Sequence, residues 1–228
     1  MIINMESLLD GARAARGTAI IIDVYRAFTT GAIALSRGAK AIILVAEVEE
    51  ALDLKNNGVG QLCMGEVDGK RPQGFDFGNS PYEISTADVI DKVLIQSTRA
   101  GTVGVSAAVN ADKIYAGALV TAEATINAIL RSSPDIVTIV AMGDQGKVKT
   151  DEDEQCALYL RNLLQGRRPD PQSVRSLILA GEESQKYGDP ARPHFHPKDK
   201  EHALEINTMP FAISVTREDG LLVARMES

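Results

Sequence analysis

The sequence predicts a layered α/β/α fold built on a largely parallel or mixed sheet, and three observations carry that reading. Apolar runs such as Ala19-Ile20-Ile21-Ile22 and Ala41-Ile42-Ile43-Leu44-Val45 are rich in β-branched residues and do not alternate, as expected of strands covered on both faces. Segments of helical character lie between such runs, and Gly38 and Gly58 stand where the first two of them should stop. Regular strand and helix alternation of this kind belongs to layered α/β architectures.

Taken in order, the first apolar run covers 19–24 and carries Asp23 at its end. A helix over 27–37, a strand over 41–45 and a helix over 48–56 follow. Further strands are expected at 61–64, 93–96, 113–116 and 136–141, with helices at 121–131 and 151–164. The chain changes character after Gly166-Arg167-Arg168-Pro169. Beyond it come a helix near 173–179, an irregular Pro- and His-containing stretch over 187–200, and strands at 211–216 and 221–225 joined by a turn with Asp219-Gly220. The C-terminal part thus adds helices and a β-hairpin to the same body. A length of 228 residues with 44% apolar content suits one compact unit over 1–228, or two closely packed subdomains divided near 100–120 or 166–170.

Composition narrows the function. A net charge of −7 with scattered Lys and Arg argues against nucleic acid or an anionic membrane as partner, since both need clustered cations. No segment approaches the roughly 18 unbroken apolar residues of a membrane span, and the first residues lack the succession of a signal peptide. A cytoplasmic protein acting on a small molecule is the expectation, and nothing in the composition opposes a homo-oligomer. Cys63 and Cys156 are too far apart in sequence for a close metal-binding pair and read as reduced, buried thiols.

The stretch from Gly65 to Pro81 gathers three carboxylates and four glycines without helical or strand periodicity. Glycines let backbone N–H groups turn towards an anion, carboxylates such as Glu66 and Asp76 can hold a hard cation, and Asn79-Ser80-Pro81 reads as a tight turn. Asp23, this loop, the segment Ser97-Thr98-Arg99-Ala100-Gly101-Thr102 and Gly143-Asp144-Gln145-Gly146 each follow an expected strand. Ligands of open α/β sheets bind beyond the carboxyl ends of strands, so these four segments should converge on one edge. Asp23 with Arg26, Thr29 and Thr30 at the head of a helix can hold Mg²⁺ and an oxyanion, or Asp23 can simply cap that helix. The hydroxyls of Ser97, Thr98 and Thr102, with Arg99 and Gly101, have the composition of an anion cradle without the spacing of a P-loop. Asp151-Glu152-Asp153-Glu154 suits the first turn of a helix, with one or two of these acids free to point inwards. His194 and His196 would share one face of an extended segment, but no third nitrogen or sulfur ligand has matching spacing, and His202 stands alone. Many carboxylates and three histidines favour Mg²⁺ over Zn²⁺.

Several motifs in order resemble those of the 2-phosphosulfolactate phosphatase family. They are Ile22-Asp23-Val24-Tyr25-Arg26-Ala27-Phe28-Thr29-Thr30, Gly65-Glu66, Gly74-Phe75-Asp76-Phe77-Gly78-Asn79-Ser80-Pro81, Ser97-Thr98-Arg99-Ala100-Gly101-Thr102 and Glu152-Asp153. The resemblance implies a Mg²⁺-dependent phosphatase converting 2-phosphosulfolactate to sulfolactate and phosphate, a step tied to coenzyme M biosynthesis. It implies catalytic roles for Asp23, Arg26 and Asp76 and metal ligands among Asp23, Glu66, Asp76 and Glu152. Substrate contacts would come from Thr29, Thr30, Asn79, Ser80, Ser97, Thr98, Arg99, Gly101, Thr102 and Asp153. The chain departs from the family's usual Thr-Thr-Asn-Gly-Thr by having Ser-Thr-Arg-Ala-Gly-Thr, and its C-terminal quarter matches poorly. Either a carboxylate or a cation-activated water can serve as nucleophile on this reading. Two alternatives stand beside it: an idle anion-binding or regulatory protein of the same fold, and a haloacid-dehalogenase-type phosphatase, whose Asp-x-Asp-x-Thr pattern would need Asp where Tyr25 stands.

Overall fold

A computed structural model describes residues 1–228. Nine strands form one sheet: β1 (Ile2–Ser7), β2 (Gly17–Ile22), β3 (Ala41–Val45), β4 (Leu62–Gly65), β5 (Val93–Ser97), β6 (Ala111–Gly117), β7 (Ile136–Ala141), β8 (Ala212–Glu218) and β9 (Leu221–Glu227). The helices are α1 (Leu8–Ala14), α2 (Ala27–Ser36), α3 (Val48–Asn56), α4 (Pro81–Ser85), α5 (Gly101–Ala107), α6 (Ala122–Ser132), α7 (Asp151–Leu164), α8 (Pro171–Ala180), α9 (Glu182–Gln185) and α10 (Pro197–Ala203). No helix is long and apolar enough to cross a membrane.

The strand order is β1-β7-β2-β6-β8-β9-β3-β5-β4. Neighbours within β1, β7, β2 and β6 are parallel, as are those within β3, β5 and β4. The hairpin β8–β9 joins the two blocks through three antiparallel pairings, β6 with β8, β8 with β9 and β9 with β3. Three reversals make the second block run opposite to the first. The C-terminal hairpin expected as an addition is therefore the centre of the sheet.

One face of the sheet is shared. Ile21, Ile42, Leu94, Ile213 and Ala224 contribute to a single core of 30 buried residues with Phe28 and Leu35 of α2 and Val105 of α5. The opposite face divides into a cluster of 23 residues under α6, α7 and α8 and a cluster of 6 residues under α3. Ile20 and Ile22 face the cluster of 23 while Ile21 faces the shared core, so the unalternating sequence of β2 follows from apolar surroundings on both sides. Every residue of α2 except Ser36 is buried, which is what an apolar, small-residue helix enclosed by protein requires. Full burial of Phe28 and Leu35 contributes about 1.5–3 kcal/mol each.

Enclosure also brings strand ends together. In sheet order β2 and β5 are separated by β6, β8, β9 and β3. Even so, the N–H of Gly101, just beyond β5, donates to the carboxylate of Asp23, just beyond β2, at 2.8 Å. The ends of the two strands therefore meet despite the four strands between them. Polar segments thus converge, but across two oppositely directed blocks rather than along one parallel edge.

Local differences from the sequence expectations have simple causes. The first strand, β1, is a half-exposed edge with the burial pattern of an amphipathic ribbon and few β-branched residues. Helix α5, Gly-Thr-Val-Gly-Val-Ser-Ala, has poor intrinsic propensity and forms because its small residues fit against β2. The stretch read as irregular over 187–200 ends in the start of α10, the short α9 precedes it, and α8 begins at Pro171 with Asp170 capping it through Gln172 and Ser173 N–H groups. Asn79-Ser80-Pro81 is a helix start: Ser80 Oγ accepts the Glu83 N–H at 3.1 Å and Pro81 occupies the first turn of α4.

Candidate active site

Asp23, Glu66 and Glu152 reach one cavity of about 380 Å³ from β2, β4 and α7 respectively. Asp23 is held from both sides. Its Oδ1 accepts the Ala27 N–H at 2.9 Å, which caps α2, and its Oδ2 accepts the Gly101 N–H at the head of α5. A methyl group on Gly101 would lie 2.8 Å from Asp23 Oδ2 and 2.9 Å from Ala27 Cβ, so the close approach needs glycine. Glu66 is fixed in the same way: its Oε2 accepts the Gly69 N–H at 2.7 Å and its Oε1 the Arg99 N–H at 2.8 Å. Gly65 just before it has a φ of +151°, and any side chain there would drive Cβ into the Ser97 carbonyl oxygen.

Like charges crowd this floor. Burial pushes Asp23 up to about 6, with the Glu66 charge adding to the rise and the two backbone N–H groups opposing it. Burial pushes Glu152 up to about 8, helped by the charges of Glu183 and Asp23. Three oxygens in the lining residues, Glu152 Oε2, Asn79 Oδ1 and Thr150 Oγ1, are buried without a hydrogen-bond partner. Orphaned buried acceptors are costly unless something supplies positive charge or a proton.

The rim carries both signs. Lys70, Arg99, Lys186 and Arg192 line the same cavity, with Asp68, Asp144 and Glu183 among them. Buried acids with four side-chain cations nearer the mouth suit a ligand whose anionic groups meet a bound cation below and some of those side chains above.

Comparison with known proteins follows the same line. The model of the 2-phosphosulpholactate phosphatase family matches residues 4–191. The chain belongs to that family. A probable 2-phosphosulfolactate phosphatase of Bacillus subtilis (strain 168) is 30% identical over 204 residues, covering 88% of this chain and 87% of that protein. Proteins of the same printed name from Clostridium novyi (strain NT) and Pseudothermotoga lettingae are 34% identical over 144 residues and 38% over 138. Those two alignments span 63% and 60% of this chain and 60% and 58% of the relatives.

Several residues singled out by the family motifs have other duties in this member. Asp76, expected among the cation ligands, does not line the cavity. Its Oδ2 accepts from Lys55 Nζ at 2.6 Å and from the Cys63 N–H at 2.7 Å, which ties the loop to α3 and β4. Thr29 and Thr30 donate their hydroxyls to the carbonyls of Val24 and Arg26 inside the buried α2, away from the cavity. Thr98 and Thr102 are also buried, and they satisfy each other: Thr102 Oγ1 donates to the Thr98 carbonyl at 2.9 Å and accepts the Thr98 N–H at 2.9 Å. Ser97 closes β5, buried, with its carbonyl accepting the Glu66 N–H at 3.0 Å. Asp153 staples α7 to the ends of two strands, its carboxylate accepting the Val24 and Gly143 N–H groups at 2.8 Å each. The family signature therefore marks the scaffold of the cavity as much as its lining.

Arg26 does reach the cavity, yet its charge is already matched. Its Nη1 donates to Asp199 Oδ2 and to the His194 carbonyl, both at 2.8 Å, and its Nη2 to the Gly69 carbonyl at 3.2 Å. Both members of the ion pair are buried, at 3% and 0% exposure. Phe195 stacks over the guanidinium with its ring centre 4.9 Å away. Asp199 also accepts from Ser80 Oγ at 2.6 Å and the Tyr82 N–H at 3.0 Å. Sequence reasoning missed Asp199, since a lone acid in a Pro- and His-rich stretch carries no local signature.

The donor set fits a hard divalent cation. Oxygen atoms alone are offered by Asp23, Glu66, Glu152 and Asn79, two of them without a partner. No three acidic, His or Cys side chains close into a cage that could hold an ion by themselves. Mg²⁺ commonly takes one or two carboxylates and completes its shell with water and substrate phosphate, and the residues here match that habit.

Proposed function

We propose that this chain hydrolyses the phosphate monoester of a small, multiply anionic hydroxy acid, 2-phosphosulfolactate being the substrate named for its family, with Mg²⁺ as cofactor. The observation that carries the reading is the juxtaposition of the acids Asp23, Glu66 and Glu152 with the cations Lys70, Arg99, Lys186 and Arg192 in one cavity. A protein that only bound an anion would gain from the rim and lose from the floor. A phosphatase that bridges floor and phosphate with a divalent cation uses both.

Glu152 and Asp23, with the side-chain oxygen Oδ1 of Asn79, are the groups that would hold the ion. When bound, Mg²⁺ would neutralise developing charge on the phosphoryl oxygens and activate water. The chain's own groups do the rest. Two backbone N–H bonds aim Asp23 and lower its nucleophilicity, which favours water over this carboxylate as the attacking group. Glu152, pushed up to about 8 by burial, would hold such an ion as the carboxylate, the ion's charge favouring loss of its proton. Rim cations orient the ester's other acidic groups. A haloacid-dehalogenase mechanism gains nothing here, because Tyr25 stands where the second Asp would be and its hydroxyl pairs with Ser184 Oγ at 3.1 Å.

The test is phosphate release from a panel of phosphorylated hydroxy acids, after treatment with EDTA and again with Mg²⁺ restored. Turnover of a sulfonate- or carboxylate-bearing ester only with Mg²⁺ is expected. Failure to release phosphate from any of them, or equal release in EDTA, would overturn the proposal or its cofactor respectively.

A further inference from the structure

Between α9 and α10 the chain crosses the mouth of the cavity and contributes Tyr187, Arg192, His194 and Phe195 to its lining. This crossing is firmly tied down. Arg26 holds the His194 carbonyl and, through Asp199, the start of α10, while Tyr82 stacks on His196 with ring centres 4.5 Å apart. On the facing side, the loop after β4 carries Lys70, and the Gly69 carbonyl beside it is held by the same Arg26. One buried guanidinium therefore fixes two separate chain segments against each other. Lys70, Arg192 and His194 line the same cavity, and burial, followed by the charges of Lys70, Arg26 and Arg192, lowers the His194 imidazole from its ordinary value.

The cations of the cavity differ in how much capacity is left. Arg26 is committed to Asp199, and Lys186 to Glu183 at 2.6 Å. Arg99 reaches towards Glu47 at 3.8 Å. Lys70 has no carboxylate partner, and Arg192 meets Asp189 only through Nε at 3.6 Å, leaving both terminal nitrogens of its fork. Lys70 and Arg192 are exposed at the mouth, whereas Asp23 and Glu152 are buried at the floor. A substrate whose phosphate meets a cation at the floor directs its other end at Lys70 and Arg192.

We infer that Lys70, Arg192 and His194 form a second anion subsite, which selects phosphate monoesters carrying a sulfonate or carboxylate at the end remote from the phosphate. The inference rests on the phosphatase reading for the orientation of the substrate. Arg192 offers a planar fork, Lys70 a point charge and neutral His194 a ring N–H, a set able to surround three oxygens. Specificity then resides in a segment largely outside the Gly-Phe-Asp-Phe-Gly-Asn-Ser-Pro signature.

The experiment compares wild type with a Lys70→Met, Arg192→Met double variant, both with Mg²⁺, on three esters: one ending in sulfonate, one in carboxylate and one in a methyl group. Expected is a loss of at least about tenfold in the preference for the acid-terminated esters over the methyl one, expressed mainly in KM. A preference for the sulfonate arm over the carboxylate arm that disappears in the variant identifies the sulfonate as the natural ligand. Calorimetric titration with sulfolactate gives a readout that needs no turnover. Binding lost in the variant, with no phosphate release by either protein, keeps the subsite and defeats the phosphatase reading. Unchanged preference or unchanged sulfolactate binding overturns the subsite. Thermal melts of both proteins should agree, since neither side chain is buried.

Discussion

Gly101 donates its backbone N–H to Asp23 at 2.8 Å, and through that bond the helix that follows β5 is anchored on the acid that follows β2. A single carboxylate thereby serves two helix starts, α2 through Ala27 and α5 through Gly101, while also facing the cavity. Capping and site formation, alternatives at the level of sequence, are one arrangement here.

Replacing Asp23 with Asn should consequently affect both stability and chemistry. The amide offers one acceptor oxygen where two N–H groups need partners, and leaving one of them unsatisfied costs about 1–3 kcal/mol. Turnover should fall by at least about 100-fold through loss of the charge. Phosphate-release assays beside thermal melts check both; a variant with wild-type rate and melting would remove Asp23 from either role.

Gly101→Ala tests the same contact without changing charge. The new methyl group meets Asp23 Oδ2 and Ala27 Cβ inside 3 Å, so the two helix starts must separate. A destabilisation of about 1–3 kcal/mol in urea unfolding and a matching loss of activity are expected.

The buried pair of Arg26 and Asp199 should be expensive to break. Asp199→Ala leaves a guanidinium buried without its carboxylate, for an expected loss of about 3–5 kcal/mol. Limited proteolysis should then cut within residues 186–196, which wild type protects. Equal cleavage of the two proteins would show that the crossing is held by other means.

Acid titration should show in stability when cations are removed. Asp23 and Glu152 have folded values near 6 and 8, above their ordinary 3.8 and 4.5, so the folded state binds more protons than the unfolded one between about pH 4 and 8. Their contribution is full below pH 4 and is lost as pH rises through those values. In EDTA the melting temperature should therefore fall from pH 5 to 8 more steeply for wild type than for Glu152→Gln, and Mg²⁺ should flatten the wild-type slope. Parallel profiles for the two proteins would contradict the assignment.

Asp76→Asn separates scaffold from site. Its partners Lys55 and Cys63 lie outside the cavity, and the carboxylate is partly exposed. A stability loss of about 1 kcal/mol with turnover kept within about threefold is expected. Loss of Mg²⁺ dependence in this variant would restore it to the cation site.

What the sequence made legible is what local pattern encodes. Unalternating Ile and Val runs located β2 and β3 because burial on both faces removes the need for polar residues. Asp23 and Glu66 stood out because acids at the ends of buried strands have few structural reasons to be there. Asp199 could not stand out: its partners Arg26 and Ser80 lie 173 and 119 residues away, and no spacing announces such a meeting. Thr98 and Thr102 misled for the converse reason, since two hydroxyls four residues apart suit an anion cradle and an internal interlock equally well. Opposite strand directions in the two blocks were hidden too, because pairing partners of a C-terminal hairpin are not written in its own residues.

That hairpin has a consequence for biosynthesis. Seven strands emerge from the ribosome before β8 and β9, yet those seven are two separate ribbons whose inner edges, β6 and β3, face nothing until residues 212–227 arrive. During translation the nascent chain carries two unpaired edges beside helices α2 and α5, whose enclosing sheet is incomplete. These two strands act as the zip of the molecule, and chaperone demand should concentrate in the interval before they pair.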